Sequence, residues 1–175
     1  MLFTPTEIDG VTIVELEPRG DDRGFFARFY CREELLGAGL DPVDEQGNLS
    51  YSTQAGTLRG LHWQEAPAAE AKLVRCIAGS IFDVAVDIRP DSPTYRNHVG
   101  VELSAANRLA LYVPKGAAHG YQTLEADTEV LYLTSTPYTP DAERGMRYDD
   151  PALGITWPHE VTELSDKDAN WELLS

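Results

Sequence analysis

In the run Ile81-Phe82-Asp83-Val84-Ala85-Val86-Asp87-Ile88, the residues Phe82, Val84, Val86 and Ile88 share one parity, and both aspartates fall on the other. Side chains alternate faces on a strand and return every 3.6 residues on a helix, so this period of two predicts a strand. Strand signals of the same kind occur at 11–16, 24–29, 57–63, 72–77, 98–103, 109–113 and 128–134. Turn formers at Gly79-Ser80, Pro90-Asp91-Ser92-Pro93 and Pro114-Lys115-Gly116 break them at the intervals of an all-β sandwich or barrel. Helix is confined to two short candidates, 31–36 and the segment after Ser165. With 175 residues, no repeat and no dividing linker, a single domain over 1–175 is expected.

Charge narrows the range of partners. Twenty-nine acidic residues against 14 basic ones give a net −15, which disfavours nucleic-acid polymers and anionic membrane surfaces, both held mainly by excess Lys and Arg. No stretch approaches the roughly 18 consecutive apolar residues of a membrane span. The opening Met1-Leu2-Phe3-Thr4-Pro5 lacks the pattern of a signal peptide, so a cytoplasmic location is expected. Cys31 and Cys76 have no metal-ligand spacing and are expected to be reduced core thiols. The charge is uneven, however: Arg19, Arg23, Arg28 and Arg32 lie near the start, whereas residues 125–175 hold 12 acids against Arg144, Arg147 and Lys167. A few guanidinium groups suit bidentate recognition of a small phosphorylated ligand, although a solvated basic stretch reads the same way.

Two segments carry candidate chemistry. One is Leu58-Arg59-Gly60-Leu61-His62-Trp63-Gln64 followed by Lys72; the other is Pro114-Lys115-Gly116-Ala117-Ala118-His119-Gly120. The second resembles the Pro-x-Gly-x-x-His motif of cupin barrels, which turns the chain and delivers a histidine into the barrel. Cupins often hold a metal, so His62, Gln64, Glu70 and His119 are the ligand candidates. An amide at Gln64 is a poor transition-metal ligand, which leaves two imidazoles and at most Glu70, and no metal is expected.

Together, Arg59-Gly60-Leu61-His62, Lys72-Leu73-Val74-Arg75, Asp87 to Thr94, Pro114 to Gly120, Leu131-Tyr132 and Leu164 to Asp168 resemble the dTDP-4-dehydrorhamnose 3,5-epimerase family. The resemblance runs from about Leu2 to Asp168. It implies a cupin-type jelly roll with a few short helices, no metal or other cofactor, and a homodimer whose N-terminal segment crosses to the partner. The implied substrate is a dTDP-linked 4-keto-6-deoxy sugar, epimerised at C3 and C5 for cell-surface polysaccharide.

The chemistry of that reaction sets the residue types. A proton beside a ketone is acidic because the charge moves onto the oxygen, so a base is needed at carbon and a positive donor at oxygen. Inversion also needs an acid on the opposite face. The family pattern assigns His62 as base, Asp168 to orient its ring, Lys72 to the oxygen and Tyr132 as acid. Arg59 and His119 resemble residues lining the same pocket; Arg23 and Phe26 resemble contacts to the nucleotide, Gln46 and Asn48 neighbouring polar contacts, and Tyr138 a diphosphate or sugar contact. Arg28 departs from the glutamate that several family members carry there, which leaves the base open.

Blander assignments compete with these. Ser165-x-x-Asp168 fits a capping box, Tyr132 a cross-strand packing residue, and Lys72 a solvated strand lysine. Three other functions stand as alternatives: a 3-epimerase of another deoxysugar pathway, a metal-dependent cupin oxygenase or isomerase, and a non-catalytic sugar-nucleotide binding cupin.

Overall fold

A computed structural model describes residues 1–174. In chain order the elements are β1 (Leu2–Pro5), β2 (Thr12–Glu15), β3 (Arg19–Asp21), β4 (Gly24–Phe26), α1 (Arg32–Gly37), β5 (Gln46–Ser52), β6 (Leu58–Gln64), β7 (Lys72–Ala78) and β8 (Ser80–Asp87). They continue with β9 (His98–Ser104), β10 (Ala110–Val113), β11 (Ala117–Thr123), β12 (Thr128–Thr134), a single 3₁₀ turn at Pro140–Ala142, β13 (Glu143–Gly145) and α2 (Asp166–Ala169).

Two antiparallel sheets face each other, one in the order β1-β2-β10-β7-β12-β5 and the other β13-β6-β11-β8-β9, as expected of a jelly roll. Strands β3 and β4 form a separate hairpin that joins neither sheet. Between the sheets lies an apolar core that includes Val74, Cys76, Ile81, Ala85, Leu103, Leu111 and Val130. The outer face of the six-stranded sheet is covered near α1, where Leu35 and Val43 pack on Leu73, Ala110 and Tyr112. Met146, Leu153 and Trp157 from the C-terminal part cover the outer face of the five-stranded sheet.

That last layer reverses the simplest interpretation of the alternation at 81–88. Val84 and Val86 do not face the other sheet; they pack outward, under the C-terminal segment. The inward parity carries Ile81 and Ala85 together with Asp83 and Asp87, each 0% exposed. Buried carboxylates are tolerated only when paired. Asp87 accepts bonds from Arg89, Ser92 and Thr94, tying down the turn before β9, and Asp83 is bonded to His119.

Strand β5 also has an inverted pattern. Gln46, Asn48 and Ser50 point between the sheets, while Leu49 and Tyr51 are exposed. Of the two cysteines, Cys76 is buried and burial raises its thiol to about 11; Cys31 is only half-buried and precedes α1, so it is not a core thiol.

Strands β6 and β11 come unusually close at Gly60 and Gly120. A Cβ on Gly60, whose φ is +117°, would sit 2.6 Å from the Gly120 Cα, and one on Gly120 would sit 2.7 Å from the Arg59 carbonyl oxygen. Only glycine fits either position. The crossing shifts the register between His119 and Tyr121 and brings His119 directly opposite His62.

Candidate active site

Where apolar residues give out between the sheets, two cavities remain. One of about 520 Å³ is lined by Ser50, Arg59, His62, Lys72, His119, Tyr121, Tyr132, Lys167 and Asp168, among others. The second, of about 370 Å³, is lined by Gln46, Asn48, Gln64, Glu70, Tyr138 and Glu143 and shares His62, Lys72 and Tyr132 with the first. Those three shared residues stand where the cavities meet. His62, with Arg59, comes from β6, and His119 from β11, in the five-stranded sheet. Lys72 and Tyr132 come from β7 and β12 of the facing sheet.

His62 is oriented from behind. Its Nε2 lies 2.5 Å from Asp168 Oδ1, and the Gly60 N–H donates to Asp168 Oδ2 at 3.4 Å. Asp168 is 4% exposed, so burial pushes its carboxyl up; the His62 bond and charge, with donors from Gly60 and Ser165, more than offset this and hold it below its usual value. An ionised carboxylate accepts from Nε2–H, fixes that tautomer and leaves the Nδ1 lone pair as the proton acceptor. The competing capping role also holds: Ser165 caps α2 through the Asp168 backbone N–H at 3.1 Å. Cap and dyad use different atoms of Asp168. The Trp171 ring stands edge-on to the imidazole, at 6.3 Å between centroids.

His119 is paired too, its Nε2 2.7 Å from Asp83 Oδ1. Asp83 was visible in the sequence only as part of a strand's polar parity, and its complete burial is what marks it as the support of a ring in the cavity.

Tyr132 faces inward from β12, bordering both cavities. Burial raises its phenol, and the nearby Glu70 charge raises it further. Tyr121, also in the first cavity, donates to or accepts from Ser50 at 2.7 Å and is pushed by burial up to about 12.

On the second cavity, Gln46 accepts the Tyr138 backbone N–H at 3.0 Å and donates to Asn48 at 2.9 Å. The Tyr138 hydroxyl donates to Glu143 at 2.5 Å, and Lys167 reaches the same carboxylate at 2.5 Å. Glu143 lies in no motif of the sequence, and Lys167, although inside the run Leu164 to Asp168, has no role there that the sequence assigns.

Arg23 and Phe26 are not brought to these cavities. They lie on the β3–β4 hairpin with the Arg23 side chain 89% and Phe26 76% exposed. The neighbouring arginines are engaged by carboxylates: Arg23 with Asp21, Arg28 with Glu34 and Arg32 with Asp44.

The metal candidates are committed elsewhere. His62 and His119 each bond a carboxylate, Glu70 pairs with Lys72, and the Gln64 amide is spent on four partners. Among the described residues no group of three His, Cys, Asp or Glu side chains is disposed to hold a metal ion.

Comparison with known proteins adds four findings. The family model described as dTDP-4-dehydrorhamnose 3,5-epimerase matches residues 5–175. A dTDP-4-dehydrorhamnose 3,5-epimerase of Sinorhizobium fredii is 45% identical over 175 residues, covering 97% of this chain and 88% of the relative. The crystal structure of the Bacillus anthracis dTDP-4-dehydrorhamnose 3,5-epimerase with TDP and PPi bound superposes with a TM-score of 0.94 at 42% identity, covering 99% of both chains. The Legionella pneumophila dTDP-6-deoxy-D-glucose-3,5-epimerase in complex with dTDP-4-keto-L-rhamnose gives a TM-score of 0.92 at 41% identity, covering 98% of this chain and 92% of that one.

Proposed function

The chain belongs to the dTDP-4-dehydrorhamnose 3,5-epimerase family, and we propose that it carries out that epimerisation with His62 as base and Tyr132 as acid. It is an isomerase acting on a carbohydrate, converting dTDP-4-dehydro-6-deoxy-D-glucose to dTDP-4-dehydro-L-rhamnose. The observation that carries the residue assignment is the placement of His62 and Tyr132 on opposite sheets with Lys72 between the two cavities they share.

His62 Nδ1 takes the proton from the carbon beside the ketone while Asp168 stabilises the imidazolium. The electrons of that C–H bond move onto the ketone oxygen, where the Lys72 ammonium meets the developing charge. Tyr132 delivers its hydroxyl proton to the same carbon from the other face and is reprotonated from solvent, and His62 returns its proton to solvent. Repetition at the second carbon completes the double inversion. A proton leaves and a proton arrives, so the balance calls for no redox partner. Burial and the Glu70 charge keep the Tyr132 phenol protonated, as a proton donor must be. Arg59 and His119 border the sugar side, and Gln46, Asn48 and Tyr138 the other cavity, as contacts to the substrate.

In this reading residues 1–175 act as one domain in a cytoplasmic homodimer. Exposed Phe26 and Arg23, carried on a hairpin outside both sheets, support a segment that reaches the partner's cavity. So does the exposed apolar face of β5 at Leu49 and Tyr51. Among the described residues no helix is long and apolar enough to cross a membrane.

Turnover of the 4-keto sugar nucleotide in deuterated water tests the reaction directly. Deuterium at both C3 and C5 is the expected result. Exchange at C3 alone would make this a 3-epimerase, and exchange at neither carbon would overturn the assignment.

A further inference from the structure

Lysine carries its charge on a flexible four-carbon stem, so its ammonium is held in one place only where a partner offsets the lost rotamer freedom. The partner of Lys72 is Glu70, whose Oε1 lies 3.1 Å from Nζ; the two side chains are 10% and 11% exposed. The other oxygen of Glu70 is also committed, accepting from Gln64 Nε2 at 3.1 Å.

Gln64 is fixed in turn, and in one orientation. It is 4% exposed; Nε2 also donates to the carbonyls of Ala68 at 3.0 Å and Pro137 at 3.3 Å, and Oε1 accepts the Thr139 N–H at 2.5 Å. Exchanging its oxygen and nitrogen would set acceptor against acceptor at Ala68, Glu70 and Pro137 and donor against donor at Thr139. Gln64 therefore always presents a donor to Glu70. A group at position 70 that satisfies both Gln64 and Lys72 must offer two acceptors, which is what an ionised carboxylate does and an amide does not.

We propose that Glu70 is a positioning residue for the epimerisation: anchored by Gln64, it fixes the Lys72 ammonium where the two cavities meet. This rests on the reading that Lys72 faces the ketone oxygen. The same Gln64 amide grips Pro137 and Thr139 on either side of Tyr138, so one buried side chain sets both the cation at the sugar and the loop bearing the aromatic ring.

The test is deuterium exchange by wild type, E70A, E70Q, K72A and E70A/K72A, alongside dTDP binding by calorimetry. E70A should lose about 10- to 100-fold in kcat, the range for removing a group that orients an acting residue, while its dTDP affinity stays near wild type. E70Q keeps one acceptor for Lys72 but gives up the anchoring bond from Gln64, so its kcat should fall between those of wild type and E70A. The double variant should be no slower than K72A, because Glu70 acts through Lys72. Wild-type kcat in E70A, equal impairment of E70A and E70Q, or a parallel loss of kcat and dTDP affinity would each overturn the proposal. An active wild type with an unaffected E70A removes Glu70 alone; an unaffected K72A removes the role of Lys72 as well.

Discussion

Asp168 Oδ1 lies 2.5 Å from His62 Nε2, although 106 residues separate the two along the chain. The bond ties the C-terminal helix α2 to strand β6 at the place where a base is required. Asp168→Asn leaves the backbone N–H that Ser165 caps, so the helix should form as before. Its amide no longer enforces the Nε2–H tautomer, and kcat should fall at least about 100-fold with nucleotide affinity retained. Steady-state kinetics with dTDP binding on the same preparation checks this.

His62→Asn and Tyr132→Phe should separate the two proton transfers. Without His62 no proton is abstracted, and exchange into the substrate should vanish while dTDP still binds. Without the Tyr132 hydroxyl, abstraction continues and return on the far face fails, so washout of substrate deuterium should outlast net inversion. Equal loss of both in Tyr132→Phe would count against its role as acid.

Asp87 makes a prediction about acid stability. Burial alone would raise its carboxyl, yet donors from Arg89, Ser92 and Thr94 overcome that and leave it well below the usual carboxylate range. A depressed folded value contributes stability in full above the unfolded pKa of about 3.9, and the contribution is lost as pH falls toward the folded value. Wild type should therefore lose stability steeply below about pH 4. Asp87→Asn should be destabilised by about 3 kcal/mol or more at neutral pH and show a shallower slope in acid. Urea denaturation across pH 2–7 would show both, and parallel slopes for the two proteins would refute the argument.

Crossed sites predict complementation. If Arg23 and Phe26 serve the partner's cavity, Arg23→Ala and His62→Asn are each impaired as homodimers. Mixed after unfolding and refolding together, half of the dimers are hybrids carrying one intact site of two, so about a quarter of wild-type activity should return. No recovery would place Arg23 with the cavity of its own chain or outside the site.

How far the sequence anticipates the molecule varies by element. Strand β8 is legible because its alternation is strong, yet its inward face is the one bearing Asp83 and Asp87, since the chain supplies a second apolar layer outside the sheet. Strand β5 is missed altogether. A strand lining a polar cavity turns Gln46, Asn48 and Ser50 inward and leaves Leu49 and Tyr51 outside, the reverse of the pattern that identifies a strand. Strand β11 is blurred by the small residues Ala117, Ala118 and Gly120. In the site, His62, Lys72, His119 and Tyr132 lie in motifs and are brought together. Gln64 and Glu70 stand out in the sequence only as metal-ligand candidates, because a network among three side chains and a loop has no linear signature. Arg23 and Phe26 stand apart from the cavities of the chain that carries them.

Because His62 belongs to one sheet and Tyr132 to the other, the thickness of the sandwich sets the gauge of the reaction. The spacers are ordinary core residues such as Val74, next to Tyr132 across β7 and β12, and Ala85, beside His119 across β8 and β11. Enlarging or trimming them changes the width available to a sugar ring without touching any group that handles a proton. Hydrocarbon volume in the core thereby sets the distance between the two walls that carry His62 and Tyr132.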